Sequence, residues 1–195
     1  MKPVQTRMVF LVGGLLGLGA AAWAGIGIRL GAWYGPQKIN DANIQAVYGE
    51  TETFLPYLEL VLVRGLTIGA GYEFGDDRTG HIGPYDYPTS FRMAGWNALL
   101  GYELRWDDLA VFGRAGIGFY EYKQTIENPY VTDMPVNARK TGGVFAAGLK
   151  YYPVDAFYIG LEARYVLLKV KPYDSEVDLG GWRFAAGAGF AFGSR

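Results

Sequence analysis

The chain has 195 residues, half of them hydrophobic, 16% aromatic and 19% charged, with a formal net charge of −1. That length suits a single domain, and the near-neutral balance supplies neither the basic surface that nucleic acid requires nor an acidic solvating tail. The lack of Cys excludes a disulfide framework, a thiolate metal site and a Cys nucleophile.

Met1 to Ala24 read as a secretory signal peptide. Lys2 and Arg7 form the positive start, Met8 to Ala20 the apolar stretch, and Ala22-Trp23-Ala24 the small-residue ending, which predicts cleavage before Gly25. A transmembrane anchor is the competing reading, because Met8 to Ile28 is long enough to span. The Gly and Ala content and the Ala-x-Ala ending favour cleavage. The expected organisation is a signal peptide at 1–24 and one β-barrel domain at 25–195.

After Gly25 the dominant pattern has period two, the mark of strands with two different faces. In the first segment Ile26, Ile28, Leu30, Ala32 and Tyr34 alternate with Gly25, Gly27, Arg29, Gly31 and Trp33. Weaker alternation follows at Phe54 to Val63 and a clear one at Leu66 to Gly75. Further segments span Phe91 to Leu104, Leu109 to Tyr120, Gly142 to Tyr152 and Phe157 to Leu168. The last sets Trp182, Phe184, Ala186, Ala188, Phe190 and Phe192 against Arg183, Ala185, Gly187, Gly189 and Ala191. Eight such segments predict an all-β fold, an eight-stranded antiparallel up-and-down transmembrane barrel.

The connections alternate as well. Arg64-Gly65, Arg105 to Asp108 and Pro153 to Ala156 are tight turns, whereas Pro36 to Thr53, Asp76 to Ser90, Glu121 to Thr141 and Val170 to Gly181 are long and polar. Short periplasmic turns and longer extracellular loops are the pattern of membrane barrels, so both termini are expected in the periplasm. Asp41 to Tyr48 has the makings of a short helix over the mouth.

The distribution of charge separates this reading from a soluble lipid-binding barrel, whose interior is apolar. Here the apolar set is nearly charge-free in mid-strand, while the glycine-rich set carries Arg29, Glu59, Glu73, Glu103, Arg114, Lys150, Glu162, Arg164 and Arg183. A lipid exterior and a polar, side-chain-filled lumen suit both faces. Tyr34, Tyr72 and Trp182 would edge the lipid zone on the outer side, Tyr102, Tyr151 and Phe192 on the inner. Isolated lumen charges are costly, so they are expected to pair, with Arg29–Glu59 and Arg114–Glu162 leading.

On these residues the chain resembles the small outer-membrane β-barrel superfamily, the OmpA-like and OmpX-like porin-related proteins, over Gly25 to Phe192. The ending Gly187-Ala188-Gly189-Phe190-Ala191-Phe192 is similar to that family's C-terminal insertion signal, with Gly187, Phe190 and Phe192 at its defining positions. The resemblance implies recognition by the barrel assembly machinery and a place in the outer-membrane lipid of a Gram-negative envelope. Ala185 stands where the signal is usually polar, and Gly193-Ser194-Arg195 trails beyond the usual terminal aromatic. No further domain is expected after the barrel.

Chemistry is sparse. His81 is the single histidine, in a loop beside Asp76 and Asp77. Rim-located barrel enzymes place a His beside a Ser or Asp, but Gly83 occupies the position where lipid A deacylases carry Ser, and Ser90 is the nearest downstream Ser. The Gly-x-Gly pieces precede no helix, which rejects a dinucleotide site. No catalytic, cofactor or metal residues are assigned. The reading is a non-enzymatic barrel with a structural or surface-interaction role, its Tyr- and Pro-rich loops offered to an extracellular protein or glycan. A narrow channel is the alternative, and a lipid-modifying or proteolytic enzyme the more distant one.

Overall fold

The structure is a computed structural model that describes residues 26–128, 131–171 and 176–193, with backbone only at 63, 128 and 131–138. The signal peptide expected at 1–24 lies outside the described residues. Eight strands build the sheet: β1 Gly27–Ile39, β2 Thr51–Val61, β3 Leu66–Gly75, β4 Tyr87–Trp106, β5 Leu109–Asn128, β6 Val131–Val154, β7 Phe157–Leu167 and β8 Gly181–Phe192. Each is antiparallel to its sequence neighbours, and β8 returns to β1 with Phe190 opposite Leu30. The sheet is a closed barrel without a free edge.

The β2–β3 hairpin turns at Arg64 and Gly65, whose φ values of 60° and 84° match the right-handed twist of the flanking strands. All four long connections expected from the sequence are instead partly strand; in the first, β1 runs on to Ile39 and β2 begins at Thr51. β5 and β6 continue as a ribbon to Asn128 and Val131, Arg78–Ile82 pairs with the start of β4, and Lys169–Val170 pairs with Val177–Asp178. The cause is that alternation persists there in polar form. Tyr122 is buried inside while Lys123 is exposed outside, so the ladder continues after the hydropathy contrast that reveals it has faded.

Burial follows the two faces. Leu161 is 62% exposed and Phe184 57%, whereas Arg29 and Glu162 are 7% and 4% exposed. Across β4, β5 and β6 the outward rows are apolar from Trp96–Phe119 down to Trp106–Leu109–Tyr151. Ten residue steps from Trp96 to Trp106, at about 3.3 Å each on a strand tilted by about 40°, make a band about 25 Å tall.

Inside, glycines lie in register with the largest side chains. Trp33 of β1 faces Gly187 of β8, which in turn faces Gly160 of β7. A Cβ on Gly187 would come within 2.3 Å of the Trp33 ring, and one on Gly160 within 3.0 Å. Likewise Phe112 lies opposite Gly148, whose added Cβ would meet its ring at 2.6 Å. The indole also stacks on Tyr57 with centroids 5.9 Å apart. The glycine-rich face therefore holds a good deal of aromatic volume, more than the alternation by itself suggests.

Between β1 and β2 the chain forms a helix, α1 (Ala42–Tyr48), over the wide end. The Asp41 carboxylate accepts from the backbone N–H groups of Asn43 and Ile44, both at 3.0 Å, which caps the helix. Tyr48 points inward and joins Ile39, Phe91, Met93, Tyr122, Val144, Leu168 and Leu179 in an apolar cluster. Its hydroxyl meets Thr89 Oγ1 at 2.7 Å and accepts from Gln124 Nε2 at 2.8 Å, so the polar tip is satisfied.

Replacing Gly187 with Val is expected to destabilise the barrel by about 1–3 kcal/mol through overpacking. Adding Trp33→Leu should restore part of that loss, as read from urea unfolding of the two variants in parallel.

Candidate functional site in the charged lumen

Alternation within each strand aims one or two charged side chains inward from every strand of the barrel. They are Arg29 from β1, Glu59 from β2, Glu73 from β3, Glu103 from β4, Arg114 from β5, Lys150 from β6, Glu162 and Arg164 from β7, and Arg183 from β8. All nine are buried. The lower part is a closed ring of four. Arg29 Nη1 donates to Glu59 Oε1 at 2.9 Å and grips Glu103 with both Nη atoms, and Lys150 Nζ donates to Glu59 Oε1 at 3.1 Å and to Glu103 Oε2 at 2.9 Å. Each cation meets both carboxylates, and each carboxylate meets both cations.

Arg114 carries the network upward. It pairs with Glu59 and, through Nη1 at 3.3 Å, with Glu162 Oε2. Glu162 also accepts from Arg164 Nε at 2.9 Å; Arg164 Nη1 lies 3.9 Å from Glu73, which pairs with Arg183. One chain of ion pairs thus runs through all nine residues, five bases against four acids. Charge-assisted bonds of this kind are the strong ones, and their number works against the desolvation cost of burying the charges.

Aromatic rings close the spaces between the charges. Phe112 lies under Arg114 at 4.2 Å and near Lys150 at 5.0 Å, and Lys150 also sits 5.1 Å from the Tyr158 ring. Tyr57 and Tyr158 share a hydroxyl–hydroxyl hydrogen bond across the lumen. At the narrow end Arg105 lies 4.1 Å over the Tyr152 ring and pairs with Asp155 at 3.0 Å. Tyr57, Tyr152 and Arg105, not anticipated from the sequence, occupy inward positions of their strands, and parity with Glu59, Lys150 and Glu103 is the signal that marks them.

No family model matches the sequence, and no curated protein matches it either. Solved structures do resemble it. OprG, an outer membrane protein from Pseudomonas aeruginosa, aligns with a TM-score of 0.63 at 11% identity, over 87% of this chain and 97% of that one. Ail, the attachment invasion locus protein of Yersinia pestis, solved in complex with the heparin analogue sucrose octasulfate, aligns with a TM-score of 0.58 at 14% identity, over 86% and 99%. Neisserial surface protein A aligns with a TM-score of 0.54 at 12% identity, over 85% and 96%. The chain has the fold of the small outer-membrane β-barrels.

Within this outer-membrane barrel fold, the three residues that resemble an insertion signal lie in the closing strand. Phe190 and Phe192 face outward opposite Leu30 and Ile28, while Gly187 faces inward beneath Trp33. His81 is exposed on the short strand Arg78–Ile82, opposite Pro88 and remote from the lumen charges. Among the described residues, no group of three His, Cys, Asp or Glu side chains is placed to hold a metal ion.

Among the buried acids of the network Glu59 makes the most ion pairs, touching Arg29, Arg114 and Lys150. Replacing it with Gln leaves buried cations short of a counter-charge and is expected to cost about 3–5 kcal/mol. Replacing Glu121, whose pair with Arg139 is solvent-exposed, should cost less than about 1 kcal/mol. Thermal unfolding followed by the heat-modifiable gel shift distinguishes the two.

Proposed function

We propose that the protein is a non-enzymatic barrel of the outer membrane that acts through its outward-facing surface, as a structural element and a platform for interaction. The observation that carries this reading is the occupied lumen. The nine-residue charge network fills its middle, and the Tyr48 cluster with helix α1 fills its wide end. A pore needs a continuous wet path, and general diffusion pores use about 16 strands to keep one open.

The exterior supports the lipid part of the proposal. A band about 25 Å tall is what the hydrocarbon core of this membrane demands, and Trp96 and Trp106 mark its two edges as interfacial aromatics do. On this reading residues 1–24 direct export, both ends of the barrel chain face the periplasm, and the barrel assembly machinery engages Gly187, Phe190 and Phe192. The β5–β6 ribbon then projects well above the lipid, because strands of 20 and 24 residues exceed the roughly 9–11 that a span requires. Exposed Tyr85, packed at 5.8 Å on Tyr87, lies in the neighbouring connection. Such surfaces suit an extracellular protein or glycan, and the sulfated ligand bound by Ail makes sulfated glycans a sensible first probe.

In planar bilayers the purified protein is expected to give no steady openings; regular conductance steps would instead support a narrow channel. Replacing Leu100, in the middle of the outer band, with Arg should lower the stability of the folded barrel in lipid vesicles by about 2–4 kcal/mol. Arg92→Ala, above the band, should change it by no more than about 0.5 kcal/mol.

A further inference from the structure

The outer surface of β3 to β6 carries a recess of about 750 Å³ that nothing above employs. Two cross-strand rows build it. The lower row is Tyr72, Trp96, Phe119 and Thr141, in register from β3 to β6. The upper row is Phe74, Ala94, Glu121 and Arg139. Ala94 makes the hollow, since its methyl stands between the Phe74 ring on one side and the Glu121–Arg139 pair, 3.2 Å apart, on the other. One row higher, Arg92 and Lys123 lie side by side. One row beneath the aromatics come Ala70, Ala98, Ile117 and Gly143, an apolar strip in which Ile117 projects between small residues.

Reading upward, this face is an apolar strip, an aromatic shelf, a hollow and a basic rim. Arg92, Lys123, Arg139 and Lys140 stand here against Glu121 and Asp77, the latter 3.7 Å from Arg92. Lys123 makes no ion pair among the described residues. The adjoining sector on β2 and β3 carries Glu52 and Asp76, the latter paired with Arg78 at 2.6 Å, so the surplus of positive charge lies on the β4 to β6 side.

We infer that this recess binds a phosphate-bearing lipid of the outer leaflet, with the phosphate held among Arg92, Lys123 and Arg139. Its acyl chains descend over Trp96 and Phe119 onto the Ala98–Gly143 strip. The inference rests on the outer-membrane reading. It commits to a lipid because the lower half of the recess lies inside the apolar band, where on that reading only lipid reaches. The chemistry is complementary at both ends: exposed cations at headgroup level take a phosphate, and aromatic faces beside an apolar strip take chains.

The test uses the full barrel in nanodiscs, titrated with bisphosphorylated lipid A, dephosphorylated lipid A and phosphatidylethanolamine. The bisphosphorylated form is expected to bind at least about tenfold more tightly than the other two, a factor worth roughly one charge-assisted contact. The combined Arg92→Gln, Lys123→Gln, Arg139→Gln variant should lose that preference while keeping its heat-modifiable fold, because all three side chains are exposed. Lys169→Gln, a loop base paired with Glu176 elsewhere on the rim, should retain it. Equal binding of phosphorylated and dephosphorylated lipid, or an undiminished preference in the triple variant, overturns the site alone. A wild-type chain that does not insert into bilayers overturns the outer-membrane reading with it.

Discussion

Arg29, Glu59, Glu103 and Lys150 meet in the lumen as a ring in which every cation touches both anions. They come from β1, β2, β4 and β6, so the ring spans the barrel rather than following its wall. Four charges removed from water are a heavy cost unless each finds full compensation, and here that compensation exists in only one alignment of the strands. Sliding β2 by one residue turns Glu59 outward toward the apolar band. Sliding it by two moves the carboxylate about 7 Å along the strand, out of reach of both Arg29 and Lys150. Because all eight strands contribute to the extended network, the register of the closed sheet is fixed from within.

The steric pattern enforces the same register. Trp33 fits because Gly187 and Gly160 follow it around the wall, and Phe112 fits because Gly148 does. A two-residue slip would set the indole of Trp33 against Ala185 or Gly189, and Gly189 already holds the Tyr158 hydroxyl, which a Cβ there would meet at 2.2 Å. Charge pairing and volume matching are independent constraints with one common solution, the kind of agreement between levels that gives a sequence a single native state. Above them α1 and the Tyr48 cluster seal the wide end with apolar packing.

Much of this was legible in the sequence, and the limits have physical causes. Period-two alternation separates the faces wherever one is greasy and the other glycine or charge, as from Ile28 to Tyr34. It is a property of one strand, so the parity of Arg29, Glu59 and Glu103 could be read. Beyond Arg29–Glu59 and Arg114–Glu162, which acid meets which base in three dimensions depends on tilt and stagger, and those belong to the sheet as a whole. The four-membered ring and the seating of Trp33 on Gly187 could not be read for that reason. The ribbon beyond Glu121 escaped for the opposite reason: apart from Tyr122 and Ile126, the residues from Glu121 to Glu127 are polar, so hydropathy has little contrast to report. Asp41 was different. A capping carboxylate is a local device, which is why a short helix could be anticipated over Asp41 to Tyr48.

The division between a closed interior and a varied exterior bears on where activity can reside. Fold likeness to OprG, Ail and Neisserial surface protein A establishes an architecture that supports many roles, and the role must be argued from surfaces. The interior is committed: its charges are buried together and stabilise one another, so each is tied to keeping the barrel folded. The exterior within the apolar band is committed almost as firmly, by the demand for greasy side chains. The rows above Trp96 and Phe119 are released from both demands, and there the pattern varies from sector to sector: Arg78 offsets Asp76 beside β3, whereas Arg92, Lys123 and Arg139 outnumber Asp77 and Glu121 on β4 to β6. On the proposed reading, that local surplus of positive charge is the chemistry a surface role would draw on.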